Sequence, residues 1–508
     1  MLKRILSSII WGQIGKIFEF AFAIAFTIFI SRELGPSDYG IYTLIVSIIG
    51  LAILLTSFGF GEVLGKNIPL FITKNEEHKV IHLFKYLLSL RFVFLILFGL
   101  IIYFMREWIS EFLNSPDIKK YLILVSVFMV IQGVSELFTA FYTALLKLKV
   151  VSFVKVTIQV ICLFLTFVFF KILGASIFSV FYALIISFIF GLFIYFIPVG
   201  SKFFPNTLNK KKIDTENSFK ILLNFGIYLW LINIFTIGLL GGHIDSLLIS
   251  FFTKDTAQVG YYGISARILI TLHILITAGW WSTLMPVLSE VKSKYGIYGM
   301  AGVWSAYSKL LVGIFIPALV FIIKFSNPII VVLFGIKYMP AVILLKWYAV
   351  LTVFFMLFTA GLSAFTLCIA GKEKLVLFLR LIFGLINVIL DIILIPIYGA
   401  LGAVLATGIS IAILGLVEML FTIKHVQVSY PYIFVGKILP VVIASIILTS
   451  ALLEYLSVSM WLLLFLAGVV YCIFLIVGFV FVKPLTNKDR EILTTLTPKL
   501  APIYRFFG

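Results

Sequence analysis

Fourteen long apolar stretches follow one another along this chain of 508 residues, separated only by short breaks rich in charge, glycine or proline. A helix needs about 20 predominantly apolar residues to cross the hydrocarbon core of a bilayer. The alternating pattern of a transmembrane β-strand is absent from the sequence, and only helices and closed barrels satisfy their backbone hydrogen bonds in lipid. The pattern therefore predicts an all-α polytopic membrane protein.

The predicted spans have boundaries good to a few residues, and the seventh, eighth and tenth are long enough to tilt or kink. They are Ile5–Ile30, Tyr39–Leu64, Ile81–Phe104, Tyr121–Leu145, Val150–Phe170, Ala175–Pro198, Phe219–Phe252, Val259–Leu288, Trp304–Ile323, Ala341–Ala370, Leu375–Ile397, Ala400–Ile423, Tyr432–Leu453 and Met460–Val482.

Composition supports this class and excludes others. Hydrophobic residues make up 62% of the chain and charged residues only 12%, so there is too little polar surface to cover a water-soluble fold. The net charge of +18 indicates membrane topology and contact with anionic lipid, and no soluble module remains to bind nucleic acid. The three cysteines lie in apolar runs without metal-ligand spacing, so we expect no metal, disulfide or cofactor.

The basic residues concentrate in alternate connections, which the positive-inside rule assigns to the cytoplasm. Lys210, Lys211 and Lys212 lie in the longest internal loop, and five further basic residues lie in the tail after residue 482. The first apolar stretch carries Lys16 and Glu19 and is too long for a signal peptide. We therefore expect a retained first span and both termini in the cytoplasm.

Short matches at an offset of 220 to 225 residues indicate an internal repeat. Residues 39–42 (YGIY) recur as residues 259–262 (VGYY), and 174–175 (GA) recur as 399–400. The spacing predicts two six-helix bundles of the same orientation, related by a pseudo-twofold axis along the membrane normal around a central cavity. The predicted divisions are an N-terminal bundle (1–200), a basic cytoplasmic linker (201–218), a C-terminal bundle (219–425), and two extra helices with a tail (426–508).

Four segments, in order, resemble a known transporter family. Residues 32–44 (RELGPSDYGIYTL), 244–269, 333–341 (LFGIKYMPA) and 386–410 are similar to polysaccharide flippases, the Wzx-like branch of the multidrug/oligosaccharidyl-lipid/polysaccharide exporter superfamily. The resemblance covers nearly the whole chain and is weakest after about residue 425. It implies a V-shaped carrier that moves a polyprenyl-diphosphate-linked oligosaccharide across the cytoplasmic membrane by alternating access, for cell-surface polysaccharide biosynthesis. We expect a monomer that is not an enzyme.

Cations inside spans are the predicted ligands of an anionic diphosphate, because charge within a bilayer is costly and usually functional. Arg267 lies in the eighth span, Arg91 in the middle of the third and Lys16 in the first. Alternatively, Arg91 extends to the interface, and Lys16 forms a structural pair with Glu19, three residues away on the same helix face.

Acids inside spans are the predicted residues for gating or for coupling to H⁺ or Na⁺. Asp245 is the first choice, with a hydrogen-bonded outer gate as the alternative. The further candidates are Glu62, Glu136, Asp391 and Glu19.

Two other functions remain open. An ion-coupled multidrug or cation antiporter of the same superfamily would favour acids in the cavity. A membrane polysaccharide polymerase or glycosyltransferase belongs to a different class, but the chain has no D-x-D motif, Walker A motif or long catalytic loop.

Overall fold

The computed structural model describes residues 2–202, 226–277, 281–358, 361–456, 458–486 and 489, with their side chains except at residues 2–14, 77, 198–202, 228, 281–283 and 285–286. Every regular element within those ranges is helical, which confirms the predicted all-α class. Thirteen of the described stretches are long and apolar enough to cross a membrane. The first of them, Gly15–Leu55, covers parts of the first two predicted spans.

The described residues form seventeen α-helices, numbered in chain order. They are α1 Leu2–Leu55, α2 Phe60–Thr73, α3 Glu77–Phe104, α4 Arg106–Phe112, α5 Leu122–Ala144, α6 Leu148–Leu173, α7 Ile177–Lys202, α8 Ile227–Asn233, α9 His243–Thr253, α10 Thr256–Thr277, α11 Trp281–Phe334, α12 Ala341–Leu357, α13 Leu362–Ile369, α14 Glu373–Tyr398, α15 Ala400–Val426, α16 Tyr432–Glu454 and α17 Met460–Val482. Short 3₁₀ turns cover Pro116–Lys120 and Ile336–Tyr338, and a π-helix covers Ile234–Leu239.

Glycine divides several apolar runs that the sequence pattern leaves continuous. Gly35 interrupts α1 with a φ of 76°, and Pro36 follows it, so α1 contains two consecutive spans. The predicted span Tyr39–Leu64 is broken between α1 and α2, where Phe58 and Gly59 have positive φ. Such angles suit glycine because it has no β-carbon.

The seventh and tenth predicted spans are also broken. The seventh contains α8, the π-helix and α9, with a left-handed Gly242 immediately before α9. The tenth contains α12 and α13. Residues 203–218 of the predicted basic linker lie outside the described residues.

Packing divides the chain into two compact units, Met1–Gly263 with Ile395–Gly399, and Ile264–Leu394 with Ala400–Gly508. The core of the first unit joins α2, α3, α5, α6 and α7 through a cluster of buried side chains that includes Phe84, Phe138 and Phe141. The rings of Phe84 and Phe141 stack at 4.1 Å. This core forms one wall of the cavity described below.

In the second unit, α15 presents a face of small buried residues, including Ala403, Ala406 and Gly408. Small residues allow membrane helices to approach closely, and a β-carbon at Gly408 would overlap Leu351 of α12. The Tyr471 hydroxyl on α17 donates to the Pro317 carbonyl on α11 over 3.1 Å. The last helix is therefore attached to this unit by a specific hydrogen bond.

Candidate substrate cavity

A cavity of about 440 Å³ opens within the first unit. Its walls come from α1, α2, α3, α5, the end of α8, the π-helix and the start of α9. The polar side chains that line it are Ser57, Glu62, Arg91, Gln132, Glu136, Asn233 and His243. So many hydrogen-bonding groups among apolar helices give the unit an interior that can hold a polar ligand.

The Arg91 guanidinium is held mainly by the end of α1. Its Nη1 donates to the Ile53 carbonyl over 3.0 Å and to Thr56 Oγ1 over 3.1 Å. The last carbonyls of a helix lack intrahelical partners, and cations there also interact favourably with the helix dipole. Arg91 therefore closes the C-terminal end of α1, and the Trp230 indole does the same at the Leu54 carbonyl, over 2.8 Å.

Glu136 faces Arg91 across the cavity at a longer distance. Its Oε2 lies 3.9 Å from Arg91 Nη2, and its side chain is 51% exposed, whereas that of Arg91 is 3% exposed. Gln132, one turn earlier on α5, donates to Glu136 Oε1 over 3.4 Å. These contacts are long, so the carboxylate retains capacity to accept hydrogen bonds from a ligand.

A second carboxylate, Glu62, lies on another wall of the cavity. Asn233 Nδ2 donates to its Oε1 over 2.7 Å. Asn233 is the last residue of α8, directly before the π-helix, and π-helices are frequent at functional sites. This hydrogen bond connects α2 to the broken helix.

His243 and Asp245 begin α9 but occupy different surroundings. His243 lines the cavity beside Gly50. Asp245 is fully buried and accepts a hydrogen bond from the Tyr262 hydroxyl over 2.6 Å. Asp245 does not line the cavity.

A smaller side pocket of about 160 Å³ adjoins the cavity and shares Gln132 and Glu136 with it. The other polar side chains lining it are Glu19, Ser135, Thr139, Lys155, Gln159 and Tyr195. Lys155 Nζ lies 3.4 Å from Glu19 Oε1, with side-chain exposures of 40% and 20%. The ion pair of Glu19 is therefore with Lys155 on α6.

The remaining predicted residues lie elsewhere. Lys16 is exposed on α1 and lines neither pocket. Arg267 is exposed on α10 within the second unit. Asp391, also in that unit, is fully buried and accepts a hydrogen bond from Asn387 Nδ2 over 3.3 Å. The cavity therefore contains Arg91, Glu136 and Glu62 of the predicted set, and the side pocket contains Glu19 and Glu136.

Sequence reasoning missed one buried ion pair and gave no role to Lys155. Arg380 Nη2 on α14 lies 2.9 Å from Glu418 Oε1 on α15, and Glu418 is fully buried. Glu418 lies inside an apolar span, so the rule that selected Glu136 would also have selected it. Arg380 lies 225 residues after Lys155, an offset within the range of the predicted repeat.

Comparison with known proteins identifies the family. The profile of the family described as polysaccharide biosynthesis protein matches residues 29–343, more than half of the chain. This protein belongs to that family. The resemblance carried by the four sequence segments is thereby confirmed. Over 92% of its length, the chain is also 22% identical to the uncharacterized membrane protein MJ1068 of Methanocaldococcus jannaschii, covering 94% of that protein.

The chain shares its fold with solved structures of transporters. The chain is similar to the lipid II flippase MurJ in its inward closed conformation, with a TM-score of 0.70 and 18% identity over 92% of this chain and 98% of that one. It is also similar to an inward-facing multidrug resistance MATE family transporter, with a TM-score of 0.65 and 15% identity over 80% and 94%. The chain is similar as well to a MOP superfamily transporter from Pyrococcus furiosus, described as having a binding pocket of reverse polarity. The TM-score is 0.55, with 15% identity over 84% of this chain and 96% of that one.

Proposed function

We propose that the protein is a flippase that moves a polyprenyl-diphosphate-linked oligosaccharide across the cytoplasmic membrane by alternating access, with both termini in the cytoplasm. The observation that carries the proposal is a polar cavity among apolar helices in a member of a polysaccharide biosynthesis family. A diphosphate-sugar headgroup cannot cross hydrocarbon unaided, because its polar groups would lose their hydrogen bonds to water. The cavity would replace some of these bonds during transfer.

Two bundles, residues 1–200 and 219–425, would carry out the transport. Arg91, Arg267 and Lys16 would attract the diphosphate, and polar cavity groups such as Glu136 and Gln132 would contact the sugars. Arg91 is already bonded to the end of α1, so its contribution would be electrostatic attraction at the cavity wall. Arg267 is exposed and forms no ion pair within 4.0 Å among the described residues, so it is the stronger candidate for direct phosphate contact.

Coupling to H⁺ or Na⁺ would use the acids at the broken helix and in the second unit. Asp245 lies in the first turn of α9, directly after the left-handed Gly242. Its buried hydrogen bond to Tyr262 joins α9 to α10, so a change in its charge would act on that junction. Glu62, Glu136, Asp391 and Glu19 are the further proposed coupling or gating residues.

The first test measures glycan export by cells that lack their own flippase and carry this protein with the matching biosynthetic enzymes. Arg267→Ala is expected to reduce surface glycan at unchanged protein level in the membrane, and Arg267→Lys to restore part of it, because the bidentate guanidinium is lost. Arg106→Ala, at the first residue of α4 beside the Tyr103 ring, is the matched control. Normal export by Arg267→Ala would remove Arg267 from the mechanism.

A second candidate function is supported by the charges of the two pockets. Three carboxylates (Glu19, Glu62 and Glu136) line them together with two cations, Arg91 and Lys155. An excess of carboxylates favours a cationic substrate, as expected for a multidrug or cation antiporter. Proton-driven transport of a cationic dye into vesicles would support this alternative.

A further inference from the structure

The side pocket differs in chemistry from the site that a diphosphate needs. Glu19 and Glu136 line it with two carboxylates, and its cation, Lys155, is already paired with Glu19. A phosphate group placed there would meet no unpaired cation among the lining residues, because Lys155 is paired with Glu19, and Arg91, which lies 3.9 Å from Glu136, is outside this pocket. The pocket is therefore unsuited to the anionic part of a lipid-linked substrate.

The same groups are well suited to hydroxyls. Carboxylates accept hydrogen bonds, ammonium groups donate them, and side-chain amides do both, so the pocket matches a ligand whose groups are donors and acceptors at once. Gln159 on α6 is a partly exposed amide that faces this space, and Gln132 on α5 bonds weakly to Glu136 at 3.4 Å. Gln132 can exchange its weak contact for one with a ligand, and Gln159 presents its amide to the pocket.

The wall behind these groups is fixed before any ligand arrives. The Tyr195 hydroxyl lies 3.0 Å from Thr139 Oγ1, and the Tyr142 hydroxyl donates to the Tyr195 carbonyl over 2.8 Å. The two tyrosine rings stack at 5.3 Å, and both are buried. A preorganised wall lowers the entropic cost of binding.

We propose that the side pocket binds one uncharged, hydroxyl-rich sugar ring of the substrate headgroup, an assignment that rests on the proposed transport function. A volume of about 160 Å³ is on the scale of a single ring. Gln132 and Glu136 line both spaces, so the ring is held beside the cavity that takes the rest of the headgroup. Glu19, Gln159 and Lys155 select the ring by hydrogen bonds to its hydroxyls.

The test uses full-length protein in nanodiscs and octyl β-D-glucoside below its critical micelle concentration as the probe. Saturation transfer from the protein to the sugar-ring protons reports contact with the ring, and tetraethylene glycol monooctyl ether serves as the reference for contact with the tail alone. We expect ring contact in the wild type and in the control Glu454→Gln, which changes an exposed carboxylate at the end of α16. Loss of ring hydrogen bonds in Gln159→Leu and in Glu19→Gln is expected to weaken binding about tenfold.

Leucine is close to glutamine in size and is well tolerated in a membrane helix, so Gln159→Leu is expected to fold. Unchanged ring contact in both pocket variants, or no ring contact in the wild type, would overturn the assignment. Displacement of the sugar by octyl phosphate would overturn it as well, because it would make the pocket an anion site.

Ring contact and oligosaccharide transfer test the sugar-pocket assignment and the flippase proposal separately. The protein could show ring contact that depends on Gln159 and yet move no lipid-linked oligosaccharide across a vesicle membrane. That result would refute the flippase proposal and support the sugar pocket. Normal oligosaccharide transfer by Gln159→Leu, without any ring contact in the wild type, would refute the pocket and leave the flippase standing.

Discussion

At the scale of single residues, the buried arginine of the cavity has a structural task as well as a charge. Arg91 makes its two short contacts with the Ile53 carbonyl and Thr56, and its contact with Glu136 is long. The sequence identified Arg91 and Glu136 because both are ionisable groups deep inside apolar stretches. It could not identify the partners of Arg91, because the end of α1 at Leu55 is set by the positive φ angles of Phe58 and Gly59.

Stability measurements can separate these two contacts. Arg91→Ala removes two charge-assisted hydrogen bonds at the end of α1 and leaves the Ile53 carbonyl with only its 3.2 Å contact to Thr56 Oγ1, a loss that costs about 1–3 kcal/mol. Glu136→Gln weakens only a contact that is 3.9 Å long, keeps an oxygen that can accept from Arg91, and leaves both short contacts of Arg91 in place. We therefore expect a clear fall in the thermal unfolding midpoint of purified Arg91→Ala and little change in Glu136→Gln. Equal falls would show that the ion pair, and not the helix end, holds Arg91.

At the scale of elements, the two matching sequence motifs meet through their glycines. A β-carbon at Gly40 of α1 would overlap the carbonyl oxygen of Thr256, and one at Gly260 of α10 would overlap that of Pro36. The repeat motif at 39–42 and 259–262 thus marks a crossing at which the two backbones touch. The internal sequence match identified the two motifs. It could not predict that their glycines touch the opposite backbone, because the partner of each glycine lies more than 200 residues away in the chain.

Substitution at this crossing is expected to separate the helices. Gly40→Ala must displace backbone atoms, and overpacking of this kind costs about 1–3 kcal/mol. Gly65→Ala in α2 is the matched control, because its β-carbon meets nothing within 4 Å and alanine favours a helix by about 0.5–1 kcal/mol over glycine. A thermal unfolding midpoint lowered by Gly40→Ala and Gly260→Ala but not by Gly65→Ala is the predicted result. Three similar midpoints would contradict a tight crossing.

At the scale of the whole molecule, the apolar stretches predicted the fold because lipid leaves the backbone few alternatives. The breaks inside those stretches were harder to predict, since Gly59 and Gly242 adopt left-handed angles within sequences that could equally continue as helix. The site was predicted in part. Glu136 and Arg91 lie in the middle of their spans, whereas Lys155 and Arg380 lie close enough to span ends to resemble interfacial charges.

The measurement that tests the central proposal most directly is the transfer of a lipid-linked oligosaccharide between the two leaflets of vesicles whose only protein is the purified one. A polyprenyl-diphosphate oligosaccharide with a fluorescent label on its sugar is incorporated, and a membrane-impermeant quencher reports the labels on the outer leaflet over time. We expect the protein to move the labelled headgroup between leaflets faster than protein-free vesicles do, and to leave a cationic dye outside. No acceleration for the lipid-linked oligosaccharide, together with proton-driven uptake of the dye, would contradict the flippase and support the antiporter.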